Sequence, residues 1–392
     1  MVYKVPIIGS SVTYKDLMSV FSRMEKECVI GEFSRALAGL AQARHIHLTN
    51  SGTASFYIIL KILKERSGRK EFILPAYTAG SLVVSVIKAG LKPVLCDVSQ
   101  DDFNLSEESL FNAISKDTLA VAAVHMFGLV VKDIRSLQQK LPRDVILIED
   151  CAQSMGSSLD GRHTGSFGKI SFFSFNRGKN LALYGGGSIA TNDDGIAAAI
   201  GKELRDLKKE NRISKFTHTL KILAFSLSVK PFIYGLGFPI ISRFKDTAPP
   251  RDISIKRISD LHAGLGSLLM EKSEGFFSKR HDNGSFLLDG LKEKDSISLP
   301  KILKDSRPVF NRLPILFKDL KNRDVAREEL WAAGIEASRM YMRPLHHMFD
   351  IGYKRRDFPC ANYIADHLLT LPVHPQAEEK KLYKIIEVMN RA

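Results

Sequence analysis

The chain has 392 residues, 44% of them hydrophobic and 26% charged, with 27 glycines and 15 prolines. At about 150 residues per domain this leaves room for two or three domains, and the composition excludes a coiled coil, a collagen and a disordered chain. Lysine and arginine outnumber aspartate and glutamate by 57 to 43, a formal net charge of +14. That balance favours a polyanion as partner: a phosphorylated small molecule, nucleic acid or an acidic membrane surface. The basic residues are scattered, without a long run and without an RNP, zinc-finger or basic-zipper pattern, which sets nucleic acid aside. Cys28, Cys96, Cys151 and Cys360 stand far apart, with no CxxC and no Cys/His cluster. Neither a disulfide framework nor a structural zinc site is expected, and a reducing, cytoplasmic compartment is. The amino terminus lacks the charged start, apolar stretch and cleavage site of a secretory signal and is read as part of the mature protein.

Between residues 45 and 192, apolar runs of strand length alternate with helix-like stretches. Strands are predicted at 46–50, 72–76, 93–98, 119–128, 145–151, 170–175 and 188–192, with helices at 53–65, 80–89, 106–115 and 132–140. Near-continuous hydrophobicity suits strands covered on both faces, so the expectation is an α/β fold with a mainly parallel seven-stranded sheet. Residues 1–202 are assigned to this large domain, 203–256 to an insertion, and 257–392 to a smaller C-terminal α/β domain. In the last of these, 258–291 reads as one long amphipathic helix and 378–392 as the closing helix. In the insertion, Lys221, Lys230, Pro231 and Pro239 interrupt the apolar stretch, leaving no uncharged run of the roughly 20 residues that a membrane span requires.

Three elements carry chemistry. Ser51-Gly52-Thr53-Ala54 lies where a strand gives way to a helix, and free N–H groups at a helix start make a phosphate site. An ordinary Ser/Thr helix cap is the plain alternative. Glu149-Asp150-Cys151-Ala152-Gln153 ends a buried strand, placing Asp150 at the carboxyl edge of the sheet where ligands bind; capping of the next turn is the alternative. Ser174-Phe175-Asn176-Arg177-Gly178-Lys179 follows a further strand and precedes Tyr184-Gly185-Gly186-Gly187. A lysine at the edge of a partly buried cleft can lose its charge and act as a nucleophile, although most lysines are simply solvated. Together, a phosphate-binding helix start, a carboxylate for a ring nitrogen and a lysine amine are the parts of a pyridoxal 5'-phosphate site.

With these residues in view, the sequence resembles the DegT/DnrJ/StrS-type family of pyridoxal-phosphate-dependent sugar-nucleotide aminotransferases, of the aspartate-aminotransferase-like (type I) fold. The resemblance runs through SGTAS, LPAYT, AGLKPVLCDV, HMFG, IEDCAQSMGSSLDGRHTGSFGKISFFSFNRGKN, RISDLHAGLGSLLMEK, GIEASRMYMRPLH and LPVHP. It implies that Lys179 holds the cofactor covalently and later shuttles protons, and that Asp150 keeps the pyridine nitrogen protonated. Gln153 would lie beside the ring near its phenolic oxygen, and Gly52, Thr53 and Ser174 would bind the phosphate. It implies a homodimer, a nucleotide-linked keto-sugar and glutamate, giving back 2-oxoglutarate, as substrates, and a place in polysaccharide or other glycoconjugate biosynthesis. Three positions depart from the pattern. Ala79 stands where relatives carry an aromatic over the ring, so stacking is weaker or falls to a residue such as Tyr77. The glycine run is preceded by Tyr184, and Ile255 replaces an Asn that reaches the partner's phosphate. The insertion is also longer than in the simplest members and builds a different substrate mouth.

Two other readings remain on the same fold: a pyridoxal-phosphate-dependent sugar dehydratase, against which Lys179 argues because such relatives carry histidine there, and a non-enzymatic binding or regulatory protein. His346 and His347 lack metal-ligand spacing, so no metal is expected, while Arg343 or His346 is placed either near substrate or in a surface loop. His125, Met126 and Phe127 read as packing. Residues 216–244 carry more apolar side chains than a surface insertion should expose. They are either a core-packed helical hairpin split at Lys230-Pro231, or a peripheral membrane contact flanked by Lys208, Lys209, Arg212, Lys215, Arg243 and Lys245.

Overall fold

In a computed structural model, residues 3–24, 29–207, 212–241, 249–250, 252–291 and 295–391 are described, the side chains of 22–24, 212–215 and 239–241 excepted. Cys28, Lys208, Lys209, Arg243 and Lys245 lie outside the described residues, as do the side chains of Arg212 and Lys215. Seven strands make the main sheet: β1 (His45–Thr49), β2 (Glu71–Pro75), β3 (Lys92–Cys96), β4 (Thr118–Val124), β5 (Ile146–Asp150), β8 (Ile170–Ser174) and β9 (Gly187–Thr191). Their order is β1-β9-β8-β5-β4-β2-β3. The pairs β2/β3, β2/β4, β4/β5 and β5/β8 are parallel, whereas β9 runs antiparallel to both β8 and β1. Every residue of β4, TLAVAAV, is buried because helices cover both faces of the sheet. The expected run 119–128 is therefore cut short: Met126–Gly128 forms a 3-10 turn beyond the strand.

Helices α1 (Tyr14–Met24) and α2 (Val29–Ala41) precede β1. The crossovers are α3 (Gly52–Glu65), α4 (Gly80–Lys88), α5 (Glu107–Ala113) and α6 (Ile134–Lys140), and α7 (Asp194–Arg205) follows β9. The short strands β6 (Ser158–Leu159), β7 (Arg162–His163) and β11 (Ser306–Arg307) make a separate patch. Beyond the insertion come α10 (Asp260–Met270) and α11 (Ser273–Gly290), then β10 (Ile297–Ser298), β12 (Leu313–Phe317) and β13 (Leu368–Leu371) as a second sheet. Helices α12 (Leu320–Ala332), α13 (Leu345–Met348), α14 (Pro359–His367) and α15 (Glu379–Met389) complete that region. The amino-terminal segment reaches across to it: Val5 pairs with Ile335, and Ile7 N–H donates to Glu336 Oε2 at 2.9 Å.

The single long helix expected over 258–291 is two, broken at Glu271-Lys272. Helix α10 is buried among α1 and α2 so tightly that a Cβ on Gly266 would lie 2.5 Å from the Phe33 ring. Helix α11 instead packs toward α15 and delivers Leu287 to the core shared with the second sheet. Periodicity runs through both helices, but the chain turns between them; Phe277 of α11 still packs in the core of α10, and only the later part of α11 joins the other core.

The insertion forms α8 (Arg212–Ser228) and α9 (Pro231–Ile241), split at Lys230-Pro231 and crossing at 91°. Among the described residues no single helix is long and apolar enough to cross a membrane. One face packs inward: Ile222 and Tyr234 are buried, and the Phe238 ring sits 3.9 Å from that of Trp331. The other face is open, with Phe216 65%, Leu220 50%, Phe232 59% and Leu236 60% exposed.

Candidate active site

Strands β5 and β8 end side by side, and α3 begins next to them. Ser51 caps α3, its Oγ accepting from Ala54 N–H at 3.1 Å. Gly52 follows at a point of close approach: a Cβ there would lie 2.6 Å from Ser174 Cβ and 3.1 Å from its Oγ. Glycine thus lets the start of α3 come directly against the serine side chain that closes β8. The glycine run after the lysine has the same purpose. A Cβ on Gly187 would fall 2.5 Å from Gly52 N, so β9 could not close on this corner with any side chain there.

Asp150 is the last residue of β5 and is buried. Its Oδ1 accepts from Ala152 N–H at 2.9 Å, while Oδ2 accepts no hydrogen bond from the described residues. Burial pushes its pKa above the ordinary carboxylate value, opposed by the Ala152 N–H and the nearby Lys179. Lys179 answers in the opposite sense: burial lowers the pKa of its amine, Asp150 opposes this, and Arg312 adds to it. The Lys179 Nζ has no hydrogen-bond partner among the described residues.

Strict positioning surrounds this pair. Asn180 donates to the carbonyls of Gln153, Met155 and Val309 at 3.3, 3.1 and 2.9 Å, and Asn311 donates to Gly178 O at 2.6 Å and Asn180 Oδ1 at 3.2 Å. Lys179 is thereby held on both sides. Behind Asp150, His125 Nδ1 accepts from Val131 N–H at 3.1 Å, which leaves Nε2 to donate to Glu149 at 3.0 Å. Glu149 also accepts from Gly165, Phe167 and Gly168 N–H at 2.8, 2.7 and 2.6 Å. Although His125, Glu149 and Cys151 offer ligand atoms within 4.8 Å of one another, these donors already fill the carboxylate. The cluster braces the strand ends, so His125 is more than apolar packing.

Gln153 is buried with both ends of its amide engaged. Oε1 accepts from Phe127 N–H at 3.3 Å, and Nε2 points to Met126 Sδ at 3.3 Å and Tyr341 Oη at 3.4 Å. Tyr77 is fully buried, its hydroxyl on Met340 O and its ring edge-on to Tyr341 at 5.8 Å, so it packs between the two regions. Ala79 is the cap residue of α4, and Ile255 packs on the main core. His346 is buried, whereas Arg343 is exposed. Over the lysine loop lies the insertion: Phe225 stacks on Tyr184 at 5.7 Å with a 9° interplanar angle, and Tyr234 Oη donates to Glu336 at 2.6 Å.

The arrangement offers an anion cradle at a helix start, a buried carboxylate with one free oxygen and an amine whose pKa burial lowers, the set a phosphorylated pyridine aldehyde needs. The model of the DegT/DnrJ/EryC1/StrS aminotransferase family matches residues 28–390. The chain belongs to that family. Members use pyridoxal 5'-phosphate, and the residues present fit it. Among curated relatives, the chain is 26% identical over 373 residues to a UDP-N-acetyl-3-dehydro-alpha-D-glucosamine 3-aminotransferase of Acidithiobacillus ferrooxidans, covering 93% of this chain and 89% of that one. It is 29% identical over 287 residues to a GDP-perosamine synthase of Vibrio cholerae, covering 72% and 76%. The fold is that of DesV from S. venezuelae, solved with a ketimine intermediate, at a TM-score of 0.79, 22% identity and coverage of 99% and 98%.

Arg312, Tyr341, Asn180 and Asn311 were not singled out by sequence, and only Asn180, adjacent to Lys179, offered a local signal. The others approach the site from more than a hundred residues away in the chain.

Proposed function

We propose that this aminotransferase moves an amino group from glutamate to the keto group of a nucleotide-linked sugar, as a step in polysaccharide or other glycoconjugate biosynthesis, and that it works as a homodimer. The observation that carries the reading is the meeting of Lys179 with Asp150 beside the Gly52–Ser174 corner. The named activities of the Acidithiobacillus and Vibrio relatives support the substrate class. Bound there, the cofactor supplies an electron sink for the carbon that loses its proton. Asp150, through its free oxygen, would hold the pyridine nitrogen protonated, and burial makes that pairing stronger than in water. The Lys179 amine, lowered in pKa by burial, is suited to take a proton from the amino donor's α carbon and return it to the sugar carbon. Gly52, Thr53 and Ser174 would hold the phosphate, and Gln153 would present its amide edge near the ring. The insertion, clasped to Tyr184 and Glu336, would form one wall of the substrate mouth, and its open apolar face would rest against a membrane interface.

Glutamate added to the cofactor-loaded protein without any sugar should release one equivalent of 2-oxoglutarate per site and bleach the visible band, and Lys179→Ala should do neither. Absence of 2-oxoglutarate from a loaded wild-type protein would refute the reading and favour a dehydratase.

A further inference from the structure

The loop that carries Lys179 is closed at its base by the main chain: Leu183 N–H donates to Phe175 O at 2.8 Å and Phe175 N–H to Gly186 O at 3.0 Å. Asn180 and Asn311 hold its buried side. On its rim stand Arg177 and Tyr184, one before the lysine and one after it. Helix α8 of the insertion meets both. The Phe225 ring stacks on Tyr184 at 5.7 Å, 9° from parallel, and the Arg177 guanidinium carbon lies 5.7 Å from the centre of the same ring. Earlier on α8, the His218 ring stands edge-on to His262 at 5.4 Å, and a Cβ on Gly185 would fall 2.6 Å from His262 Nε2. The helix thus reaches the loop directly at Tyr184 and, through His262, at the next residue.

The backbone of Tyr184 shows what this contact is for. Its φ is +62°, in the left-handed region, which a bulky aromatic adopts only where its surroundings over-determine it. Glycine would make the same turn without strain, as Gly186 does at +94°. What a tyrosine adds is the ring, and the ring's partner is Phe225. Tyr184 is also one of the positions at which this chain departs from the family pattern, and Phe225 lies in the insertion that the simplest members lack. The strained residue and the added helix belong together.

We infer that Phe225 is a positioning residue for Lys179: by holding Tyr184 and Arg177 together it keeps the lysine loop closed from outside, and so sets how precisely the amine is presented. The inference gives the insertion a part in the reaction beyond forming a wall of the substrate mouth. It rests on the reading that Lys179 holds the cofactor and carries the proton.

The test follows the glutamate half-reaction of the cofactor-loaded protein without sugar, so that any part the insertion plays in the substrate mouth does not enter. Two quantities are read: the rate of 2-oxoglutarate release at saturating glutamate, and the midpoint of the pH titration of the visible band, which reports the surroundings of the Lys179 nitrogen. Misplacement of the amine predicts a rate about 10- to 100-fold lower in Phe225→Ala, with half-saturating glutamate changed less than about threefold. Water reaching the nitrogen favours its charged form, so the midpoint should rise by about 0.5–1 pH unit. Phe225→Tyr keeps the stack and should stay within about twofold of the wild type. Tyr184→Gly relaxes the backbone but removes the partner of Phe225, so it should be slowed like Phe225→Ala, and the double variant should be at most about twofold slower than the worse single one. A Phe225→Ala protein with the rate and midpoint of the wild type overturns the inference, however far its Tm falls, because α8 is then an outer layer only. Rate losses that multiply in the double variant overturn it as well. Should Phe225→Ala fail to fold, Phe225→Leu, which keeps bulk without the flat ring, is judged by the same two quantities. A wild-type protein without a visible band or without 2-oxoglutarate release refutes the reading of Lys179 itself, and this inference with it.

Discussion

Gly52→Ala probes the corner on which the anion site is built. The new Cβ would lie 2.6 Å from Ser174 Cβ, 3.1 Å from Oγ and 3.2 Å from Cα. Carbon atoms pack best at about 3.5–4.0 Å, so α3 and β8 must separate by about 1 Å, and no rotamer of Ser174 relieves a clash with its own Cβ. Overpacking of this kind costs about 1–3 kcal/mol. The same displacement pulls the helix N–H groups off the phosphate, and losing one charge-assisted hydrogen bond, about 1.5–3 kcal/mol, weakens cofactor affinity about 10- to 150-fold. Urea unfolding of the cofactor-free protein reads the first effect, and equilibrium titration with pyridoxal phosphate reads the second. Gly52→Ala/Ser174→Gly completes a double-mutant cycle. Removing both Cβ and Oγ should recover stability, with a favourable coupling of about 1 kcal/mol or more, less up to about 1 kcal/mol for the added glycine. Cofactor affinity should stay low, because the serine hydroxyl is gone. If Gly52→Ala matches the wild type within about 0.5 kcal/mol, or the cycle shows no coupling, steric closure of this corner is not what the glycine is for.

The raised pKa of Asp150 fixes a sign for pH dependence. Its protonated form is favoured in the folded state, so its contribution is most favourable below the ordinary value of 3.8 and is lost as pH climbs through the elevated one. Cofactor-free Asp150→Asn should therefore gain stability over the wild type as pH rises through that window and hold the gain above it; a difference that does not vary with pH contradicts the burial argument. In the insertion, Phe238→Ser should cost about 1–3 kcal/mol by removing the ring packed on Trp331, whereas exposed Phe232→Ser should stay within about 0.5 kcal/mol, both read from urea midpoints. Phe232→Ser/Leu236→Ser should reduce flotation with anionic liposomes while leaving the fold intact, and equal recovery of wild type and variant with neutral and anionic vesicles would leave the hairpin as structure alone. Sedimentation of the active enzyme should give twice the chain mass, and full activity from a stable single chain would contradict the dimer.

Hydrophobic runs by themselves determined the seven strands of the main sheet, because strands buried on both faces need apolar residues at nearly every position. Local chemistry likewise marked Gly52, Asp150, Ser174 and Lys179, since each stands at a junction whose backbone or edge position is written in the adjacent residues. What the sequence could not contain is anything that depends on which distant surfaces meet. The split between α10 and α11 follows from where each helix packs, α10 against α1 and α2 and α11 toward α15. In the same way, Tyr77 was free to face a ring until packing turned its hydroxyl to Met340. Arg312, 133 positions beyond Lys179, reads as any strand-edge arginine until Asn311 anchors it beside the lysine loop and leaves its Nε without a partner. Periodicity reports the face a residue presents; only the folded chain decides what that face meets, because burial, desolvation and unpaired donors are properties of the assembled surroundings.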